Sequence, residues 1–324
     1  MSRIEKLQAL LDVDAMLITS PVDLYYLTGV ELSAGKLLVS KSSSELLVDG
    51  RYFETAKSHS PVPVFLESQS VFRDMIKRYK FVAIDSDKTS LQTFLDLQSY
   101  GKDWGVEFLP RKGWLTQLRA IKDPEEIALL KKAAELGSLG YDFLLTKLSE
   151  GVTEQELALE LEWFWRKRGA KGVAFDPIIA FGPNSSKPHY RAGSTELGLD
   201  QPVLLDIGVE LSKYHSDMTR MAVIGKMDRK MEEIYSIVKE AHERAVACLL
   251  PGVSIASVDE AARGFITSKG YGEQFSHSLG HGIGLEVHEF PTIRKNRETE
   301  ALYLQEAMVI TIEPGIYLPG LGGV

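Results

Sequence analysis

Cysteine is nearly missing from this 324-residue chain. Cys248 is the only one, which excludes an internal disulfide framework. Long apolar runs are missing too, since no uninterrupted stretch approaches the roughly 20 residues that cross a bilayer. The first residues, MSRIEKLQALLDVDAMLI, are charged and amphipathic where a secretory leader needs an apolar core. Cytoplasmic residence with no membrane partner is the resulting expectation. Positive charge is also scarce: the net charge of -8 and the lack of any basic run argue against a nucleic-acid partner. There is neither a low-complexity segment nor a visible repeat. What remains is an ordinary globular composition, 44% hydrophobic and 25% charged, with a length that suggests two domains.

Residues 1 to about 120 alternate short apolar runs (AMLIT at 15–19, GKLLVS at 35–40, SELLVDG at 44–50, FVAIDS at 81–86) with helical stretches such as 51–58 and 71–78. That alternation predicts an α/β layer with its own core. Asp49, Arg51 and Tyr52 in VDGRYF read as a turn and a helix start, not a site. A second region, 121–324, opens on Lys122-Asp123-Pro124-Glu125-Glu126, an N-cap aspartate followed by proline and first-turn acids. Ile127, Leu130, Ala134, Leu139 and Leu144 then mark a long amphipathic helix. Thr153 with Glu156 is a capping box opening a helix to about Arg168, and further helices are expected over 228–249 and 256–269. Strand-like runs lie between and after them: GVAFDPIIAFG, PVLLDIGVEL, YHSDMTRMAVIG and AMVITIEPGIY.

Four residues in this half point to chemistry. Asp206 is enclosed by Val203, Leu204, Leu205 and Ile207, and Glu313 sits in the alternating run VITIEPG with Val309 and Thr311 on its face. An ionised carboxylate in such a place is costly unless a positive charge meets it. No lysine or arginine stands beside either residue in sequence, so a bound cation is the natural counter-charge. Asp217 lies eleven residues after Asp206, across a turn that would put the two strands about 4.8 Å apart. Taken alone, Asp217 also reads as a turn or capping residue. Thr219, on the same strand face, is expected to hold the Asp217 carboxylate. His277, His281 and His288 crowd into twelve residues with Gly280, Gly282 and Gly284, which let backbone approach closely. A phosphate loop is a weak alternative, because no lysine follows the glycines. Oxygen-rich donors with one histidine suit manganese, iron, cobalt or zinc, and bridging carboxylates favour two ions. That chemistry is hydrolysis.

In this order and spacing, FDPIIAFGPNSSKPHY, DIG with SDMTR, HGIGLEVHE and TIEPG resemble the creatinase and aminopeptidase P group of metallopeptidases, in its Xaa-Pro aminopeptidase and Xaa-Pro dipeptidase (prolidase) branch. YLTGV, VDGRYF and IKDPEEI extend the resemblance over nearly the whole chain. It implies an α/β creatinase-like N-terminal domain over 1–120 and an α+β pita-bread catalytic domain over 121–324 with a curved antiparallel sheet. It also implies two divalent ions, manganese first and cobalt, zinc or iron as alternatives. Asp206 would bind one ion, Asp217 would bridge both, and His281 and Glu313 would bind the other. Glu313 would also take a proton from the attacking water. His189, His277 and His288 would line the substrate pocket, with His189 and His288 acting in catalysis. Proline-containing peptides are the implied substrates and a homodimer the implied assembly.

One departure stands out. The family carries a second bridging glutamate on a G-x-R-x-E strand, whereas this sequence ends at Leu321-Gly322-Gly323-Val324. The expectation is therefore a pita-bread domain lacking its last strand, with weakened metal binding and turnover. Methionine aminopeptidase fits less well because of the N-terminal layer, and metal-free creatinase because the four ligands are kept. A catalytically impaired relative serving as a protein-binding module is the alternative of a different class.

Overall fold

The computed structural model describes residues 1–324. The chain forms two compact units, Met1–Arg119 and Ala120–Val324.

The first unit is built on a six-stranded mixed sheet. Its strands are β1 (Ala15–Ile18), β2 (Lys36–Ser40), β3 (Ser44–Val48), β4 (Val64–Leu66), β5 (Phe81–Asp85) and β6 (Glu107–Arg111), in the order β4-β3-β2-β1-β5-β6. The β1–β2 and β2–β3 pairs are antiparallel, the rest parallel. All four residues of β1 are buried, as a central strand covered on both faces requires. Helices α1 (Arg3–Leu10), α2 (Pro21–Thr28), α3 (Phe53–His59), α4 (Gln69–Ile76), α5 (Leu91–Trp104) and α6 (Trp114–Ala120) complete the layer. Phe72, Met75 and Ile76 of α4 and Leu97 of α5 pack on Leu17, Leu38, Val82 and Ile84. Asp49 accepts from the Arg51 backbone N–H at 2.8 Å just before α3, so VDGRYF is a turn and helix start.

The second unit begins with α7 (Pro124–Leu145), capped by Asp123 and Glu126 in a reciprocal box, and α8 (Glu154–Arg166), capped likewise by Thr153 and Glu156. Strands β7 (Gly172–Val173), β8 (Ile178–Phe181), β9 (Pro202–Ile207), β10 (Val209–Leu211), β11 (Tyr214–His215) and β12 (Met218–Val223) form two three-stranded sheets, β12-β9-β8 and β11-β10-β7. After α9 (Arg229–Ala247) and α10 (Ile255–Ser268) come β13 (Gly280–Gly282) with β14 (Glu289–Ile293), and β15 (Tyr317–Leu318) with β16 (Gly322–Gly323). Every pair in this unit is antiparallel, so the expected curved sheet is a set of short antiparallel ladders. No helix of the chain is long and apolar enough to cross a membrane.

Alternation along β9 decides what the sheet presents. Val203, Leu205 and Ile207 join Leu136 of α7 and Leu157, Leu161 and Trp165 of α8 in one core. Leu204 and Asp206 therefore point to the opposite face. There, α9 and α10 supply a second core, against which Met308, Ile310 and Ile312 pack. Val309, Thr311 and Glu313 alternate with them, and residues 309–313 together line a cavity of about 1640 Å³ within this unit.

Candidate metal centre

Asp206 and Asp217 reach this cavity from one long hairpin. Its tip is the two-residue turn Ser212-Lys213, both residues with positive φ (50° and 75°), the combination that suits the twist of an antiparallel pair. The tip is thus shorter than the sequence suggested, since Glu210 and Leu211 belong to β10. Gly208 sits where the two halves of the hairpin pinch. A Cβ there would stand 2.3 Å from the Ser216 carbonyl oxygen, so only glycine lets the Asp217 arm come this close. The register pairs Asp206 with Thr219, and Asp217 falls two residues before Thr219, on the same face. The threonine hydroxyl stands across the ladder from Asp206 and acts on that carboxylate, lowering its pKa against burial. The reason is register: a residue directly across the ladder is nearer than one two places along the same strand.

His281 and Glu313 come from neighbouring extended segments. The Thr311 and Glu313 N–H groups donate to the His281 and Leu279 carbonyls, at 2.8 and 2.7 Å. The His281 N–H goes to the Thr311 hydroxyl at 3.0 Å, so the ladder is broken and the expected strand through Glu313 is an irregular extended segment. Gly280 makes this approach possible, because a Cβ there would lie 2.0 Å from the Thr311 carbonyl oxygen. Thr311 Oγ1 also donates to Glu313 Oε1 at 2.9 Å. This residue went unremarked beyond its place on the Glu313 face, although the T-x-E spacing that aims both side chains one way was visible.

The electrostatics of the four side chains are one-sided. His281 Nε2 lies 3.1 Å from Glu313 Oε1 and 3.4 Å from Asp217 Oδ2. Its Nδ1 stands 3.0 Å from the Gly282 carbonyl oxygen and must donate there. A neutral ring would then aim the Nε2 lone pair at two carboxylates, a repulsive arrangement unless a proton or a metal ion intervenes. Burial pulls this imidazole down, but hydrogen bonds to Asp217 and Glu313, with the Gly282 carbonyl, push it up to about 10. Asp206 is pushed up to about 7 by burial and then by the charge of Asp217, against the Thr219 hydrogen bond. Burial also raises Glu313, yet the hydrogen bond and charge of His281, with Thr311, hold it below the usual carboxylate range. No three of these groups converge as ready-made ligands around one point. The two His281 distances, 3.1 and 3.4 Å, match the ligand–ligand edges of a shell of about 2.1 Å radius. Donor chemistry and the missing counter-charge match a hard or borderline divalent ion.

Around the cluster, His288 is exposed to the cavity with its ring edge-on to His281, centroids 4.5 Å apart. Burial, then the charge of His281, lowers its pKa. His189 is exposed on the loop after β8 and lines the same cavity. His277 lines it as well, but both ring nitrogens are engaged, Nδ1 with the Ser278 carbonyl at 2.7 Å and Nε2 with the Tyr317 hydroxyl at 3.0 Å. The ring therefore has no N–H left to offer a substrate, which corrects its expected use as a pocket donor. Burial, followed by the nearby charges of Asp206 and Glu313, pushes the Tyr317 phenol up. Tyr317 escaped the sequence reading because only the fold brings it to His277.

Comparison with known proteins agrees with this picture. Residues 128–324 match metallopeptidase family M24, and residues 3–121 match the creatinase/prolidase N-terminal domain. A Xaa-Pro dipeptidase of Pyrococcus furiosus is 37% identical over 99% of this chain and 92% of its own length. Among solved structures, a Xaa-Pro dipeptidase from Bacillus anthracis superposes with a TM-score of 0.93 at 34% identity, covering 99% of this chain and 92% of that one. An X-Pro aminopeptidase from Thermotoga maritima gives 0.88 at 35%, covering 98% and 92%. With both segments matched and the acidic cluster inside the second, the chain belongs to metallopeptidase family M24 and carries the family's creatinase/prolidase N-terminal domain.

Proposed function

We propose that the chain is a metal-dependent exopeptidase that hydrolyses the Xaa-Pro bond at peptide N-termini or in dipeptides. The observation that carries this reading is the His281 ring, tied by Nδ1 to Gly282 and facing Asp217 and Glu313 with Nε2. Asp206 and Asp217 would hold one divalent ion, and Asp217, His281 and Glu313 a second. Manganese suits this oxygen-rich set, with cobalt, zinc or iron as substitutes. Such ions, when bound, polarise the scissile carbonyl and make water acidic enough to attack near neutral pH.

The protein's own groups do the rest. Glu313 Oε1 is occupied by Thr311 and His281, which leaves Oε2 to accept the proton of the attacking water. His288, whose pKa is lowered by partial burial and by the charge of His281, can donate one N–H to the oxyanion that develops at the carbonyl. His189, which lines the same cavity, orients the carbonyl and the proline. His277 acts indirectly by holding Tyr317. Substrate preference for proline is supported by the relatives named Xaa-Pro dipeptidase and X-Pro aminopeptidase. Cytoplasmic residence, supported by the single cysteine, and a homodimer belong to the same proposal. A single-chain mass in light scattering at micromolar concentration would remove the homodimer.

The test is hydrolysis of matched Xaa-Pro and Xaa-Ala dipeptides and tripeptides by the manganese-loaded chain, with metal content measured alongside. Selective cleavage before proline is expected, and the dipeptide-to-tripeptide ratio separates dipeptidase from aminopeptidase. Equal cleavage of Xaa-Ala would defeat the substrate assignment. Absence of both metal and hydrolysis would favour a protein-binding relative.

A further inference from the structure

Glu154, the first residue of α8, is fully buried, yet no cation neutralises it. Four donors do so instead. Its Oε1 accepts from the Phe181 backbone N–H at 2.9 Å and the Asn184 side-chain amide at 3.0 Å. Its Oε2 accepts from the Tyr190 hydroxyl at 2.8 Å and the Gly193 backbone N–H at 3.1 Å. The Asn184 amide also reaches the Tyr190 and Thr195 oxygens, at 2.9 and 3.1 Å. The two carboxylate oxygens therefore divide their work. One fastens the stem that leaves β8, the other the stem that returns after the loop. Backbone bonds from Glu154 to Thr195 and from Gln155 to Gly193 close the base further.

His189 stands on the crown of this loop, exposed to the cavity, and its ring makes no hydrogen bond to any protein group. Its place depends on the backbone that carries it. Tyr190, the next residue, is the nearest anchor of that backbone, and burial together with the Glu154 hydrogen bond keeps its phenol in the donating form. By contrast, His281 is held by its own ring contacts to Gly282, Asp217 and Glu313.

We propose that Glu154 is a positioning residue: from the end of α8 it clamps both stems of the 182–195 loop and thereby sets where His189 meets the substrate. The inference rests on the reading of His189 as a pocket residue. It adds a determinant on an element that carries none of the proposed metal ligands. A carboxylate is required because it accepts on both oxygens, whereas an amide would turn an N–H₂ group toward two of the donors.

The experiment uses the full chain and five proteins: wild type, Glu154→Gln, Tyr190→Phe, His189→Ala and the Glu154→Gln/His189→Ala pair. Hydrogen–deuterium exchange is followed over 182–195, and kcat/KM on an Xaa-Pro dipeptide is measured with manganese. Glu154→Gln should speed exchange in this loop by roughly tenfold, and Tyr190→Phe, which removes one donor of four, by less. Glu154→Gln should lower kcat/KM by about 10–100-fold, chiefly through kcat, with bound metal unchanged. The pair should be no slower than His189→Ala alone, because both changes act through one side chain. Losses that multiply in the pair, or unaltered exchange in Glu154→Gln, would overturn the proposal. If Glu154→Gln does not fold, Tyr190→Phe decides, faster exchange supporting the clamp and unchanged exchange refuting it. A His189→Ala protein with wild-type kcat/KM would strike the reading of His189 alone, and loop exchange would still judge the clamp.

Discussion

Two buried carboxylate sites, one in each unit, are neutralised in opposite ways. In the first, Asp23 and Arg119 are both almost wholly buried and meet at 2.9 Å, so the carboxylate has its cation built in. In the second, Asp206, Asp217 and Glu313 converge on one cavity, and the only basic group in contact with them is His281. Glu154 shows that the second unit can satisfy a buried carboxylate with its own donors. Asp259 has Arg263 at 3.0 Å, and Glu289, which lines the same cavity, has Lys122 at 3.1 Å, so the shortage is local to the Asp206, Asp217 and Glu313 cluster. A fold that supplies partners elsewhere and withholds them here leaves room for an external cation.

The sharpest way to break this comparison is to remove the shared charge. Asp217→Asn should abolish metal retention at both proposed ion positions and damage turnover more than His189→Ala, for which a loss of about 10²–10³ is expected from one pocket donor. Metal analysis and steady-state kinetics on both variants check the order. A His189→Ala protein that lost metal as completely as Asp217→Asn would contradict the assignment.

The opposite change belongs in the first unit. Arg119→Met leaves Asp23 buried without its partner and should cost about 3–5 kcal/mol of stability in denaturant unfolding. Replacing both partners by apolar residues should recover most of that loss. If the single change were harmless, the contrast between a built-in and a borrowed cation would lose one side.

Acidity sharpens the contrast in the metal-free protein. Asp206 moves from 3.8 to about 7 on folding, so the folded state binds its proton more tightly than the unfolded state. Its contribution to stability is full below about pH 4 and is lost as pH rises through about 7. His281 moves from 6.5 to about 10, and its contribution is likewise full below 6.5 and lost through about 10. Both slopes run the same way, against the burial-lowered His242, His277 and His288, so the check is the difference between proteins: from pH 5 to pH 8 wild type should lose more melting temperature than Asp206→Asn. An equal change in wild type and Asp206→Asn would show that the cluster is not starved of positive charge.

The smallest change tests the support of a single ligand. Thr219→Val removes the hydroxyl that stands across the ladder from Asp206 and should weaken metal binding by about 10-fold, the low end for groups that orient a ligand. Unchanged affinity would mean that Asp206 is placed by its strand alone.

Much of this arrangement was readable from residue order, because it depends on local physics. The Asp123 and Thr153 caps, the alternation of Met308, Ile310 and Ile312 against Val309, Thr311 and Glu313, and the return of the Asp206 chain toward Asp217 are short-range patterns. What escaped depends on segments far apart in sequence. Thr219 serves Asp206 because of a cross-strand register, and a shift of one residue would have reversed its face. His277 is spent on Tyr317, 40 residues later, and Glu154 meets a loop 27–39 residues away. The extended segment at Glu313 fails to become a regular strand because a side-chain hydroxyl, Thr311 Oγ1, takes the N–H that a carbonyl would otherwise accept. No periodicity reports such a substitution.

The central claim is that a divalent cation is the partner missing from Asp206, Asp217, His281 and Glu313. Calorimetric titration of the metal-free chain with manganese at pH 7, repeated in buffers of different ionisation enthalpy, tests it most directly because it counts protons as well as ions. Saturable binding with net proton release is expected, since Asp206, pushed up to about 7, and His281, pushed up to about 10, must both give up their protons. Asp217→Asn should erase the signal. Heat that is independent of buffer, or binding that survives Asp217→Asn, would contradict the claim.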